Sequence, residues 1–471
     1  MAEKIKKIYE CQNCGAQSPK WSGRCLECGQ WGSLKEDIRD DKKIAEKNLL
    51  ANVSMANIVD LKDIKDSQEI RLESGISEVD RVLGGGLISG SISLFSGEPG
   101  VGKSTLLAQI ANSLVIKNKE VSEVLYVSGE ESASQVKMRL ERLNCGLENF
   151  KFIGETNLEK IISSALKLKP SMLIVDSIQT IYSSTVLSEA GSVSQIRAVA
   201  VKFMELAKKY NIPVFLIGHI TKDGQVAGPK SLEHIVDVVL YLENDGRGSH
   251  FILRSVKNRF GSVNEIGVLE MTGAGFVEVK NPSASFLEGD TSLSFPGSVF
   301  SCVVEGNRPF LINVQALVSR TVFGYPQRKS SGFDLNRLQV LSAVISKKQK
   351  IDLINQDIIL NIVGGFRTND PALDLAVSLA IVSSFLNQEL GKKKAVLGEL
   401  GLGGELRPIS YLEMRLRELE KMGFEEIILS DYFNEADKKK LMNNFKKLKF
   451  VFVKSLFETL QVAFNNKKKA S

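Results

Sequence analysis

The segment Gly97-Glu98-Pro99-Gly100-Val101-Gly102-Lys103-Ser104 constrains this 471-residue chain more than any other. It follows the apolar run Ile92–Phe95 and opens the helical period Ser104–Ile116, so a glycine-rich loop joins a strand to a helix. Glycines there let backbone N–H groups close around phosphate oxygens, and the helix N-terminus adds the positive end of its dipole. The expected ATP cradle is Gly97, Glu98, Pro99, Gly100, Val101, Gly102, Lys103, Ser104 and Thr105. Lys103 is expected on the β- and γ-phosphates and the Ser104 hydroxyl on Mg²⁺. Such a loop needs a parallel sheet around it. The chain supplies strand-like runs at Val124–Val127, Phe150–Ile153, Met172–Val175, Val214–Ile217 and Val236–Leu242. Helical periods at Ser132–Leu143, Leu158–Leu168 and Val193–Lys209 alternate with them. That alternation argues an α/β fold, a parallel sheet with helices on both faces.

A phosphate cradle needs a carboxylate beside its metal. Asp176 ends the strand-like run that starts at Met172 and is expected to hold Mg²⁺. In ring-forming AAA-type ATPases a Glu follows that Asp directly; here the position is Ser177, which points to another branch. Tyr126-Val127-Ser128-Gly129-Glu130-Glu131 ends the next strand along the chain. RecA-like ATPases carry their catalytic Glu at the tip of that strand, near the cradle strand. Glu130 is therefore the expected general base, with Glu131 as the alternative. His219 follows the run Val214–Ile217, and that place makes it a candidate sensor of the γ-phosphate, although a lone His is as often structural.

Cysteine usage defines a second element. Four of the six cysteines form Cys11-x2-Cys14, ten residues, then Cys25-x2-Cys28, with Gly15 and Gly29 after the two pairs. Two turns offering paired thiolates make a closed tetrahedral Zn²⁺ site, structural rather than catalytic. Both tryptophans, Trp21 and Trp31, lie in the same unit, either as its core or as platforms for bases. Cys145 and Cys302 stand alone in apolar surroundings.

These features divide the chain into a zinc unit (1–34), a charge-dense linker (35–66), the strand–helix region (67–284) and a second α/β region (285–471). The turn-rich "VKNPSASFLEG" separates the last two. The second region shows strand-like runs at Gly297–Val304, Leu311–Val318 and Ile358–Ile362 and helical periods at Leu335–Lys347, Leu373–Leu386 and Tyr411–Met422. No apolar run reaches the ~18 residues of a membrane span and the N-terminus lacks an export signal, so the cytoplasm is the expected compartment. The net charge of +6 is too small to argue for nucleic acid by itself. Lys257-Asn258-Arg259-Phe260-Gly261 offers two cations and an aromatic before a glycine. By its own chemistry such a turn is more often an ordinary exposed one than a phosphate contact.

The motifs "CQNCG…GRCLECGQWGSL", "SGEPGVGKST", "YVSGEES", "LIVDSIQT", "GHITKDG" and above all "KNRFG" resemble the bacterial RadA (Sms) family over essentially the whole chain. The resemblance implies a zinc finger, a RecA-like P-loop ATPase and a C-terminal Lon-protease-like domain. It further implies homo-hexameric rings on single-stranded DNA and helicase-like, ATP-driven processing of branched recombination intermediates in DNA repair beside the RecA recombinase. By the same resemblance Lys257 and Arg259 couple ATP and DNA across a subunit boundary, and the loop Thr221–Lys230, with Lys222 and Lys230, faces DNA. Lon-type proteases use a Ser in a Pro-Ser-Ala-Gly turn and an activating Lys. The matching positions here are Ala372 and Glu413, and neither can supply that chemistry. The domain then reads as a scaffold, with Lys347, Lys348, Lys350, Lys392, Lys393 and Lys394 as a candidate DNA path. The rival readings are a Lon-like ATP-powered protease or unfoldase, and an ATP switch that binds proteins without DNA.

Overall fold

The computed structural model describes residues 8–13, 17–18, 20–37, 60, 71–118, 123–218, 232–244, 250–283, 294–322 and 324–464. His219, Lys222, Lys230, Cys14 and the loop 221–230 lie outside the described residues. The chain forms two compact units, Met1–Gln68 and Glu69–Ser471.

The first unit is a three-stranded antiparallel sheet of β1 (Ile8–Cys11), β2 (Gln17–Ser18) and β3 (Leu34–Asp37), in the order β2-β1-β3. β3 pairs with β1 as far as Asp37, so three residues expected in the linker belong to the sheet. Among the described residues its buried hydrophobic cluster is Cys11, Cys25 and Leu34, with Tyr9 packed against it. So small a core needs a metal to hold it.

The second unit opens with an antiparallel pair, β4 (Arg71–Leu72) and β5 (Leu87–Ile88), on either side of α1 (Ser77–Leu83). A nine-stranded sheet follows: β6 (Ile92–Gly97), β7 (Val124–Ser128), β8 (Phe150–Ile153), β9 (Met172–Asp176), β10 (Val214–Ile217), β11 (Val238–Asn244), β12 (His250–Asn258), β13 (Ile266–Thr272) and β14 (Gly275–Glu278). The order is β14-β13-β12-β11-β6-β10-β9-β7-β8. From β11 to β8 the strands are parallel, whereas β12, β13 and β14 extend the sheet antiparallel. The parallel sheet expected from the sequence is present, and three antiparallel strands that need no crossover helix extend it at one side.

β6, β7, β9 and β10 are buried along their whole length, which is why they read as continuous apolar runs. Alternate residues feed two separate cores. Phe95, Tyr126 and Ile174 pack with α2 (Lys103–Lys117) and α3 (Ala133–Arg142), whereas Leu94, Val127 and Val175 pack with α4 (Leu158–Leu168) and α5 (Val193–Tyr210). With the cradle strand β6 between β11 and β10, this is a RecA-like P-loop fold.

The remaining residues build a Lon-protease-like α/β sheet from β15 (Ser298–Glu305), β16 (Arg308–Arg320), β17 (Arg328–Ser331), β18 (Gln356–Ile362) and β19 (Lys394–Leu397). After the small pair β20 (Glu399–Leu400) and β21 (Leu406–Arg407), β22 (Glu426–Ser430) and β23 (Lys449–Val453) complete it, in the order β17-β18-β16-β15-β19-β22-β23. Its helices are α6 (Leu335–Gln349), α7 (Asp374–Leu386), α8 (Leu412–Lys421), α9 (Glu435–Asn444) and α10 (Leu456–Phe464). This sheet does not stand apart from the first. Arg308 pairs with the buried Glu78, which also accepts from Val268 N at 2.7 Å, and Ser283 Oγ donates to Glu418 Oε1 at 2.6 Å. Chain-distant polar contacts such as these make 69–471 one compact unit, although turn residues alone divided it near 284.

Candidate functional site

The glycines of the cradle are required by their neighbours. Gly97 ends β6 with φ +151, and a Cβ there would lie 2.5 Å from Leu242 O on β11. Gly102 has φ +96, and its Cβ would meet Met271 Cε at 2.7 Å. Gly100, by contrast, has no atom within 4 Å of where its Cβ would be, so the loop is open at that point. Lys103 is 4% exposed, and its Nζ donates to Gly97 O at 3.0 Å and Glu98 O at 2.9 Å. Those carbonyls are neutral, and burial lowers the Lys103 pKa against the opposing pull of Asp176 and Glu130. The ammonium therefore sits in the field of both carboxylates with neutral carbonyls as its hydrogen-bond partners, where an anionic phosphate would satisfy it better.

Of the strands behind the three charged groups, β7 and β9 are neighbours, whereas the cradle strand β6 is separated from both. β7 pairs with β9, and β9 with β10, so the Glu130 strand lies three places from β6. The expectation that this strand runs near the cradle strand is corrected. Asp176 on the intervening β9 links the two, because every parallel strand ends on the same edge. Asp176 is 5% exposed and its Oδ2 accepts from Tyr126 Oη at 2.6 Å. Ser128 Oγ accepts from the backbone N–H of Glu130 at 3.2 Å and of Glu131 at 3.0 Å, which shapes the turn after β7. The side chains then part. Ser177 Oγ donates to Glu130 Oε1 at 2.5 Å, whereas Glu131 forms an ion pair with Arg139 of α3. The expected metal donors, Ser104 and Asp176, are both oxygen, which suits a hard cation such as Mg²⁺.

The Lys257–Gly261 turn lies at the opposite edge of the sheet. Asn258 pairs with Val238 at the start of β11, and Asp237 Oδ2 accepts from Ile92 N at 3.1 Å at the start of β6. Ile92 and Gly97 are the two ends of that strand, roughly 16 Å apart at strand rise. Lys257 Nζ donates to Glu233 O at 2.6 Å and Val236 O at 2.8 Å; burial, then the nearby Arg259 charge, lowers its pKa. Arg259 pairs with Asp237 at 3.2 Å, and Asp237, 2% exposed, also takes Lys208 at 2.6 Å. Asn258 Nδ2 reaches Leu83 O at 3.2 Å, and Arg71 Nη2 reaches Phe260 O at 2.8 Å. The motif is thus knitted into its own chain and far from that chain's own cradle.

In the first unit the Sγ atoms of Cys11, Cys25 and Cys28 lie within 4.8 Å of one another, and Cys11 Sγ is 3.7 Å from Cys28 Sγ. A tetrahedron of Zn–S bonds of about 2.3 Å has edges of about 3.8 Å, so these thiols fit zinc. The second knuckle turn is closed by Gly29 N donating to Cys25 O at 2.9 Å. Trp21 and Trp31 are 61% and 75% exposed, which corrects their reading as core. Arg24 lies over the Trp31 ring at 5.9 Å.

In the Lon-like sheet, Ala372 is 1% exposed and Glu413 points outward toward Arg417 at 3.7 Å. A cavity of about 600 Å³ remains, lined by Arg367, Asp370, Tyr411 and Arg415. Its buried charges neutralise each other: Arg415, 2% exposed, pairs with Asp370 at 2.7 Å and donates to Cys302 O at 2.6 Å. Lys393 and Lys394 pair with Glu425 at 2.5 Å and Glu426 at 2.8 Å, which weakens their reading as a DNA path. The sequence suggests no site role for Tyr126, Arg139, Ser177 or Asp237. Only Tyr126, a phenol inside an apolar run, carried a visible signal.

Known proteins share these parts. Residues 9–36 match the rubredoxin metal binding domain family, 59–225 the AAA domain family and 329–432 the family of subunit ChlI of Mg-chelatase. The chain is 42% identical over 432 residues to DNA repair protein RadA of Halalkalibacterium halodurans, covering 92% of this chain and 93% of that one. To the protein of the same name from Streptococcus pyogenes serotype M6 it is 45% identical, over 91% and 93%. A crystal structure of the RadB recombinase aligns over 44% of this chain and 100% of its own, at 21% identity and a TM-score of 0.37.

Proposed function

The chain belongs to the family of DNA repair protein RadA, and from that premise we propose that this ATP hydrolase is a DNA-dependent, ring-shaped, helicase-like motor. It processes branched recombination intermediates on single-stranded DNA, beside the RecA recombinase and in the cytoplasm. The observation that supports the reading is that the cradle at the end of β6, Asp176 at the end of β9 and the Glu130 turn after β7 lie on one edge of the parallel strands.

Phosphoryl transfer rests on positioning and charge neutralisation. Backbone N–H groups from Gly97 to Thr105 cradle the phosphates, and Lys103 exchanges two carbonyl partners for phosphate oxygens. Ser104 and Asp176 would hold Mg²⁺, which would supply positive charge to offset that of the phosphates. Glu130, fixed by Ser177, takes the proton of the attacking water on its carboxylate. Glu131 is committed to Arg139, which supports Glu130 as the base. His219 relays loss of the γ-phosphate to the loop bearing Lys222 and Lys230, which contacts DNA. Lys257 and Arg259 act on a neighbouring subunit of a hexameric ring; their distance from their own cradle supports action in trans. Cys11, Cys14, Cys25 and Cys28 hold the structural zinc.

The test is the ATPase rate with and without single-stranded DNA over a salt series. The motor reading expects DNA to raise the rate, with an affinity that falls steeply with salt as phosphate contacts are lost. A rate indifferent to DNA would favour the protein-binding switch. Degradation of casein would favour the protease, against which Ala372 and the outward Glu413 already stand.

A further inference from the structure

Tyr126 is a phenol where the fold needs only a hydrocarbon. It is 1% exposed, in the middle of β7, inside the apolar cluster that packs α2 and α3. A Phe would fill the same space and leave no hydroxyl to satisfy. Register explains where that hydroxyl goes. Tyr126 lies opposite Ile174 and Ser128 opposite Asp176, so with period-two alternation all four face the same side of the sheet. The phenol reaches Asp176 Oδ2 at 2.6 Å. A second contact steadies it: Arg139 Nη1 donates to Tyr126 Oη at 3.3 Å, while the same guanidinium pairs with Glu131. Glu131, Arg139, Tyr126 and Asp176 thus form one chain of polar contacts. It ties the turn that carries Glu130 to the strand end that carries the metal-site carboxylate.

We propose that Tyr126, steadied by Arg139, is a positioning residue that holds the Asp176 carboxylate in one orientation for the divalent cation of the nucleotide site. This rests on the reading of Asp176 as the metal carboxylate. A carboxylate with one oxygen tied to a rigid buried donor cannot rotate about its terminal bond. Its other oxygen is then aimed before the cation arrives, and the cost of ordering it is met in folding rather than in binding.

The experiment measures binding of a fluorescent ATP analogue by the full-length protein as Mg²⁺ is titrated. Tyr126→Phe is expected to raise the half-saturating Mg²⁺ concentration about tenfold, the scale of losing an outer partner of a metal ligand. Analogue binding in excess EDTA stays within about twofold of the parent. Arg139→Gln shifts the Mg²⁺ midpoint the same way by less, and it carries the test if Tyr126→Phe fails to fold. In an Asp176→Asn background, Tyr126→Phe adds no further shift, an outcome that a merely structural role would not produce. The proposal is overturned if Tyr126→Phe leaves the Mg²⁺ midpoint unchanged, or moves it equally with Asp176→Asn present. If Asp176→Asn alone leaves Mg²⁺ dependence intact, the metal-site reading itself fails, independently of Tyr126.

Discussion

Two of the sites at which this protein buries charge do so in opposite ways. At the nucleotide edge, Lys103 rests on two backbone carbonyls, and Asp176 on a neutral phenol. In the Lon-like sheet, Asp370 and Arg415 bind each other, and Arg415 also donates to Cys302 O and Ser410 O. A charge held by neutral dipoles is available to a ligand of opposite sign. A charge already paired is part of the frame, and opening it leaves an uncompensated partner. Burial of ionisable groups alone therefore does not mark an active site; the chemistry of their partners does.

The sharpest way to break this contrast is Lys103→Ala. We expect a folded protein that loses about 10³-fold or more in ATP turnover, measured as phosphate release, because the principal charge on the phosphates is gone. Persistent hydrolysis would remove the distinction. Next, Glu130→Gln should lower kcat about 10²-fold, whereas Glu131→Gln should change it less than about tenfold. Equal losses would mean that the ion pair to Arg139 does not separate the two roles. On the other side of the comparison, Asp370→Ala should destabilise the chain by about 3 kcal/mol in urea unfolding, through the stranded Arg415. A loss below about 1 kcal/mol would show the pair to be dispensable. The smallest effect is expected from Ala372→Ser combined with Glu413→Lys, which should give no casein cleavage. The 413 side chain is 56% exposed, and an exposed lysine keeps the ordinary high pKa that makes it a poor base.

Much of the nucleotide site was legible because it is local. Gly97–Ser104 sits between β6 and α2 at the expected spacing, and Asp176 ends β9 as its apolar run foretold. The paired cysteines were legible for the same reason, and Cys11, Cys25 and Cys28 converge. The antiparallel hairpins were not legible, since β12–β14 lack a clean alternation and β12 ends in the polar Lys257-Asn258. Nor was the choice between Glu130 and Glu131, which are adjacent in sequence and differ only in what stands opposite each.

Taken alone, the order of residues determined the phosphate-binding loop and the metal-ligand spacing, because each is a property of a few consecutive positions. Tertiary structure alone decided that Ser177 meets Glu130 across 47 residues and Tyr126 meets Asp176 across 50. It also decided that the Lys257–Gly261 turn closes on Asp237 at the edge away from the cradle. Those outcomes depend on strand order, which is set by how two apolar faces are shared among helices distant in the chain, and no local pattern records that.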